Sequence, residues 1–487
     1  MKLYLIGHEL RYSLEQALLM FFPEERPVYP EAAPEGDYCE SRLFEGARFY
    51  TAVCRLVIGG GCYIGRAREK KDDSAGELVR KRVLDRLVKL SFYRAALGAG
   101  MEKPVWGSLT GIRPAKLMSA ILDEGVSERA AVSRFCREYE VRSDRARLCL
   151  AAAKAARSVK AQLAKEDVGV YVGVPFCPSR CSYCSFVSAD VGKSAGLIPD
   201  YLAALFREIE AVGAALRETG RRAVCLYIGG GTPTTLSAGQ LDALFRALEA
   251  AFDFSLLREI TVEAGRPDTI TPEKLAVLRE HGVTRVSVNP QSMDDGVLAA
   301  IGRRHTARDV VNAVELVRDA GAFQLNMDLI AGLPADSPEK FAATLETVLA
   351  MKPENITIHT LALKKGSAIT LGDTARPDAG AVGKMLDEAC FALNEAGFAP
   401  YYLYRQKYMS GGFENVGWEK GGTGSLYNIC MMEELFSVIA LGGGASTKLC
   451  LPGGRIERIF NPKYPKEYIE SIESIVENKE KLKWHIS

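Results

Sequence analysis

From residue 169 the chain settles into a regular alternation of short, β-rich apolar runs and amphipathic helical stretches. This alternation constrains the fold more than any other feature. The β-rich runs are VGVYVGVPF, AVCLYIGGG, EITVEA, VTRVSVNPQ, FQLNMDLIAGLP and NITIHTLAL. The stretches between them include IPDYLAALFREIEAVGAAL, SAGQLDALFRALEAAF and PEKFAATLETVLAM, whose apolar residues recur at helical spacing. Six successive βα units predict a parallel sheet with right-handed crossovers, either an open doubly wound sheet or a full or partial (β/α) barrel. In each case a ligand site belongs at the C-terminal ends of the strands. Cys177, Cys181 and Cys184 lie just past the first strand, and Gly229–Gly231 end the second. Glu263 ends the third, Gln291 the fourth, and Asp328 lies near the end of the fifth. Polar residues and glycines thus recur at one place in successive units, and that shared placement carries more weight than any single residue.

The flanking regions have a different texture. Residues 1–165 read as an α+β domain of unassigned role. KLYLI is a short strand, SLEQALLMFF a helix ending at Pro23, and RFYTAVCRLVIGGGCYIGRA two strands joined by Gly59–Gly61 as a hairpin. ELVRKRVLDRLVKLSFYRAAL has helical spacing, with its Lys/Arg run read as a solvated face. VWGSLTGIRPAKLMSAILDEG follows, and then a helical pattern to about residue 165. The alternating region occupies 166–370, and 371–487 forms a mixed, glycine- and aromatic-rich extension placed to cover a substrate cavity.

Composition narrows the chemistry. Lys+Arg 62 against Asp+Glu 61 gives no general affinity for nucleic acid. MKLYLIGHELRYS is broken by His8 and Glu9 too early for a secretory signal, and no apolar run approaches a membrane span, so a soluble cytoplasmic protein is expected. In a reducing compartment clustered thiols point to metal or catalysis. Of twelve cysteines, only Cys177, Cys181 and Cys184 are clustered, at the spacing C-x3-C-x2-C; the other nine read as small buried hydrophobes.

Three thiolates suit a soft metal centre. Structural zinc takes four protein ligands, and no fourth Cys or His is near in a chain with only five histidines. A [4Fe–4S] cluster on three thiolates leaves one iron open. That iron can take the amino and carboxylate groups of a small molecule, as S-adenosylmethionine does. Pro175 and Pro178 stiffen the loop and Tyr183 offers it an aromatic face.

These features resemble the radical S-adenosylmethionine (SAM) superfamily. YVGVPFC, CSYC, YIGGGTPTTL, VNPQSMDDGVLAAIGRRHT, NMDLIAGLP and YYLYRQKYMSGGFENVGW are similar to its oxygen-independent coproporphyrinogen III oxidase group, and VWGSLTGIRPAK in the N-terminal region to the HemZ-type coproporphyrinogen dehydrogenases. The resemblance covers roughly residues 168–465. It implies an α/β fold with a partial (β/α)6 barrel, and a [4Fe–4S] cluster on Cys177, Cys181 and Cys184. It also implies one or two molecules of SAM, contacted by Tyr171, Tyr183, Gly230, Gly231, Thr232, Glu263, Gln291, Arg303, Asp328 and Ala362. In that scheme Asp328 suits a ribose hydroxyl and Arg303 a carboxylate. Read singly, GGGTP is a tight turn, and Glu263, Arg303 and Asp328 are ion-pair residues; no catalytic residue is assigned, and His305 and His359 have no assigned role.

The function implied is conversion of two propionates of coproporphyrinogen III to vinyl groups, with a reduced flavodoxin- or ferredoxin-type protein as electron donor. One departure bears on it. Better-known oxidases carry a further cysteine two residues after the third ligand, where this chain has Phe186, as haem-chaperone relatives do. A haem carrier on the same fold, or a radical enzyme acting on another tetrapyrrole, are the alternatives.

Overall fold

A computed structural model of the 487-residue chain describes all of it except residues 24, 33, 73, 75, 186–187, 322, 363–375, 407–409 and 482–487. Two compact units emerge, Met1–Leu150 with Arg405–Phe413, and Ala151–Tyr404 with Glu414–Ser487.

The first unit is built on a four-stranded sheet of β1 (Lys2–Ile6), β2 (Tyr38–Glu45), β3 (Phe49–Ile58) and β4 (Gly61–Lys70), paired in that order. β1 and β2 are parallel and the rest antiparallel. Gly59 and Gly60 join β3 to β4 with φ of 55° and 78°, the left-handed pair that a two-residue hairpin turn requires. Helices Arg11–Phe21 and Glu77–Gly98 cover the sheet, burying Leu14, Leu18, Leu87, Phe92 and Tyr93 against Leu3, Cys39, Cys54 and Leu56. Arg405 places its guanidinium over the buried Trp106 ring at 5.2 Å, which ties the segment 405–413 to this unit.

The second unit carries the α/β fold. β5 (Asp167–Val174) leads into two short paired strands, β6 (Phe176–Cys177) and β7 (Ala189–Asp190). β8 (Arg222–Gly230), β9 (Glu259–Glu263), β10 (Arg285–Ser287), β11 (Gln324–Ala331) and β12 (Asn355–Thr360) follow, each parallel to its predecessor in the main sheet. Helices alternate with these strands, and β5, β8 and β9 are buried along nearly their whole length, as their continuous apolar runs demand. Side-chain caps start the helices: Ser237 with Gln240, Thr306 with Asp309, and Ser337 before Pro338.

The six parallel strands do not close on themselves. β12 pairs antiparallel with β14 (Glu414–Glu419), beside β13 (Ala399–Arg405), and β5 pairs with β15 (Val438–Leu441), followed by β16 (Ser446–Cys450) and β17 (Ile456–Phe460). The result is a partial (β/α)6 barrel set in an eleven-stranded open sheet. The parallel units follow the sequence pattern. The added strands at both edges come from the extension, whose β character is broken by glycines. Among the described residues no helix is long and apolar enough to cross a membrane.

Candidate cofactor site at the barrel mouth

The C-terminal ends of β5, β8, β9, β10, β11 and β12 open at one end of the sheet, where the sequence-predicted residues meet. The cysteine loop leaves β5 through Pro175 and Phe176 and is pinned to the end of β8 by backbone hydrogen bonds. The Gly231 amide donates to the Val174 carbonyl (2.9 Å) and the Thr232 amide to that of Phe176 (2.7 Å). A Cβ on Gly231 would lie 2.5 Å from the Phe176 oxygen and 2.8 Å from its nitrogen, so only glycine permits this approach. Gly230, with φ of 107°, makes the bend.

Cys177, Cys181 and Cys184 share the loop, and polar groups converge on two of the sulfurs. The Thr232 hydroxyl lies 3.5 Å from Cys177 Sγ, and Arg266 Nη1 lies 3.9 Å from Cys181 Sγ. Burial pushes the Cys177 thiol pKa up, against hydrogen bonds from Thr232 and Ser188. Among the described residues no three Cys, His, Asp or Glu side chains stand at metal-holding distance, so the three sulfurs share a loop without being gathered to a point. Phe186 lies outside the described residues.

Two arginines brace the loop from the far strands. Arg266, past the end of β9, donates from Nη1 to the Ser179 hydroxyl (3.0 Å) and carbonyl (3.3 Å), and its Nε reaches Asp268 at 3.2 Å. Arg303 donates to the carbonyls of Asn289 (2.6 Å) and Gly265 (3.2 Å) and to the Tyr183 hydroxyl (2.9 Å). Tyr183 packs against Val297, Leu298, Ile301 and Leu333, which seats the loop on the following units.

On the other side of the mouth three tyrosines stack. Tyr227 and Tyr427 have ring centroids 4.5 Å apart, and Tyr171 lies 6.2 Å and 6.3 Å from them. Tyr227 donates its hydroxyl to Glu263 Oε1 at 2.5 Å. Glu263 closes against the end of β8, where a Cβ on Gly229 would lie 2.9 Å from its carboxyl. Burial, reinforced by the Asp328 charge, raises the Glu263 pKa to about 7, despite the Tyr227 hydrogen bond. Asp328 accepts from Asn326 Nδ2 (2.9 Å) and faces His359 Nε2 at 3.7 Å. Burial opposes its ionisation, but His359, Asn326 and Thr357 outweigh it and hold the carboxyl below the usual range.

Gln291 adopts φ of 68° beyond β10, its amide bonded to the Asp328 carbonyl and its own carbonyl to the Ile330 amide. The backbone thus locks it beside β11 while its side-chain Oε1 is buried with no partner. Asn289 Oδ1 and Arg303 Nε are likewise buried and unpartnered. Ala362 lies two residues past β12, half-buried. Sequence reasoning missed Arg266, Asn289, Tyr227 and Tyr427. The first two lie three and two residues past strand ends, which is the signal that could have found them; the tyrosine stack joins distant segments and leaves none.

A parallel-stranded open barrel with a three-cysteine loop beyond its first strand is the architecture of a radical SAM protein. The radical SAM superfamily model matches residues 171–348. The oxygen-independent coproporphyrinogen-III oxidase-like protein HemZ of Bacillus subtilis is 39% identical over 96% of this chain and 95% of its own. The heme chaperone HemW of Haemophilus influenzae is 28% identical over 62% of this chain and 76% of its own. The solved structure of coproporphyrinogen III oxidase (HemN) from Escherichia coli superposes with a TM-score of 0.53 at 23% identity, covering 66% of this chain and 72% of that one. The chain belongs to the HemZ-type family, in the oxygen-independent coproporphyrinogen III oxidase group of the radical SAM superfamily. It uses that superfamily's cofactors, a [4Fe–4S] cluster and SAM.

Proposed function

We propose that the protein is a cytoplasmic coproporphyrinogen III dehydrogenase that turns two propionate side chains into vinyl groups without oxygen. The observation that carries this reading is the extent of the likeness to the HemZ relative, 96% of the chain, against 62% for the heme chaperone. Each propionate gives up a hydrogen atom from its β-carbon, then loses CO2 and one electron to leave the alkene. A one-electron acceptor takes that electron, and a reduced flavodoxin- or ferredoxin-type protein supplies the one that starts the cycle.

Cys177, Cys181 and Cys184 would hold the cluster. The donor set suits it: three thiols on one loop, with the Thr232 hydroxyl and the Arg266 guanidinium at two sulfurs to offset negative charge. The mouth also carries polar groups suited to SAM. Gln291 Oε1 and Asn289 Oδ1 are buried acceptors without donors, and an amino group supplies what they lack. Bound together, cluster and SAM supply hydrogen-atom abstraction.

The chain's own residues position and enclose. Glu263, steadied by Tyr227, presents a carboxylate that would accept a hydrogen bond from the cofactor's amino group. Asp328 accepts from a ribose hydroxyl. Tyr171, Gly230, Gly231, Thr232 and Ala362 line the remaining walls, and Tyr183 and Arg303 hold the loop in register. Anaerobic incubation with coproporphyrinogen III, SAM and a reductant tests the reading, with protoporphyrinogen IX as the expected product. A haem carrier is the second reading, favoured by Phe186 and by the heme chaperone relatives. Stoichiometric haem binding without turnover would support it.

A further inference from the structure

A second glycine turn flanks the cysteine loop. β15 runs parallel to β5 on the side opposite β8, so the turn Gly442–Gly444 that follows it stands at the same end of the sheet as Gly229–Gly231. The second turn is not a ligand cradle, because the protein uses all three of its amides. Gly442 donates to Glu208 Oε2 (2.8 Å), Gly443 to the Tyr201 hydroxyl (2.7 Å) and Gly444 to the Pro462 carbonyl (2.7 Å). It is pressed instead onto the end of β5. A Cβ on Gly442, whose φ is 90°, would lie 2.3 Å from the Gly173 oxygen, and one on Gly443 would lie 3.3 Å from Pro175 Cγ. Tyr201 completes the contact, donating to the Gly173 carbonyl at 2.7 Å while its ring meets Phe176 edge-on at 5.2 Å. Phe176 immediately precedes Cys177.

A buried ion pair fixes this turn. Glu208 is fully enclosed and, besides Gly442, accepts from Asn461 Nδ2 (2.8 Å) and the Tyr468 hydroxyl (2.6 Å), with Lys479 Nζ at 3.3 Å. Lys479, 1% exposed, also donates to the Ala440 carbonyl (2.6 Å) and the Thr447 hydroxyl (3.1 Å). It sits on the helix Ile472–Glu480. Removing one partner leaves the other charge buried and unpaired, so the network holds or fails as a whole.

We infer that Glu208 and Lys479 are positioning residues for the cofactor site. The pair holds Gly442 through Glu208, Tyr201 holds Gly443, the turn so fixed holds the end of β5, and β5 sets where the cysteine loop begins. The inference rests on the reading that Cys177, Cys181 and Cys184 carry the cluster. The C-terminal helix thereby belongs to the working site while touching neither cofactor nor substrate.

The test compares Lys479→Met with Ile475→Ala, a buried apolar position on the same helix outside the polar network, in reconstituted full-length protein. Both lower the melting temperature. Lys479→Met should keep its iron yet raise the KM for SAM ten- to about a hundredfold, the usual cost of losing a residue that orients a binding group, with kcat moving less. The KM is read as 5′-deoxyadenosine formed with dithionite. The electron paramagnetic resonance signal of its reduced cluster should respond to SAM differently from the wild type, and Lys479→Arg should recover most of the KM. Ile475→Ala should leave KM and spectrum unchanged. Should Lys479→Met fail to fold, Tyr468→Phe removes one donor to Glu208 and should raise the KM in the same direction by less. A KM in Lys479→Met or Tyr468→Phe no different from that of Ile475→Ala would overturn the inference. Wild-type protein that holds no iron, or forms no 5′-deoxyadenosine, would overturn the cofactor-site reading and the inference with it.

Discussion

Tyr227 and Glu263 meet across the ends of two neighbouring strands, the tyrosine hydroxyl 2.5 Å from the carboxylate, and the carboxyl so held titrates at about 7. The ordinary value of 4.5 is thus raised by burial and by the Asp328 charge. Between 4.5 and about 7 the folded protein keeps a proton that the unfolded chain has released. The stability owed to this group is therefore full below the unfolded value and is lost as pH rises through the folded one.

Glu263→Gln should flatten that slope, so the melting temperature of the mutant should depend less on pH between about 5 and 7 than that of the wild type. The same titration should govern the cofactor, whose amino group donates to the ionised carboxylate. Wild-type KM for SAM should fall as pH rises through neutrality, and Glu263→Gln should show a high KM at every pH with its iron intact. A wild-type KM flat across that range would show that Glu263 points elsewhere.

The three loop cysteines should be individually necessary for the cluster. Anaerobically reconstituted protein should hold about four iron and four sulfide per chain, with the broad absorption of a [4Fe–4S] centre. Cys177→Ala, Cys181→Ala and Cys184→Ala should each abolish it, whereas Cys39→Ala and Cys225→Ala, in the sheet cores, should not. Full iron content in Cys181→Ala contradicts the assignment.

Gly231 and Gly239 make a matched pair. A Cβ on Gly231 meets the Phe176 and Val174 backbone at 2.5–2.8 Å, whereas one on Gly239 meets nothing within 4 Å. Gly231→Ala should displace the root of the cysteine loop and lower iron occupancy. Gly239→Ala should be neutral, or stabilising by about 0.4–1 kcal/mol. Equal iron content in the two would show that the loop does not depend on this approach.

Arg303 is held by geometry that lysine cannot copy. One guanidinium spans two carbonyls and a hydroxyl, and an ammonium on a flexible stem cannot reach all three. Arg303→Lys should cost about 2 kcal/mol or more, since it leaves buried acceptors unpaired, and denaturation curves should show it. An unchanged midpoint would mean that the loop is braced elsewhere.

Much of this arrangement was legible in the sequence because it is local. The parallel strands announced themselves by apolar runs between helical spacings, and the ends of those runs located Glu263, Gln291 and Asp328. Cys177, Cys181 and Cys184 fall within eight residues, so their shared loop follows from spacing alone. What stayed hidden depends on long-range contact. Arg303 donates to the carbonyls of Gly265 and Asn289, and no spacing encodes a carbonyl's position. Tyr427 joins Tyr171 and Tyr227 only because the extension folds back on the sheet. The turn at Gly442–Gly444 is fixed by Glu208, more than two hundred residues away in the chain, and no local pattern announces that contact.

The proposed reaction is tested most directly by the stoichiometry of CO2 released from coproporphyrinogen III under anaerobic conditions, with SAM, a reductant and several one-electron acceptors supplied. The account predicts two CO2 per porphyrinogen, with 5′-deoxyadenosine formed as protoporphyrinogen IX accumulates. Tight haem binding with no CO2 released under any acceptor would contradict it and identify a haem carrier.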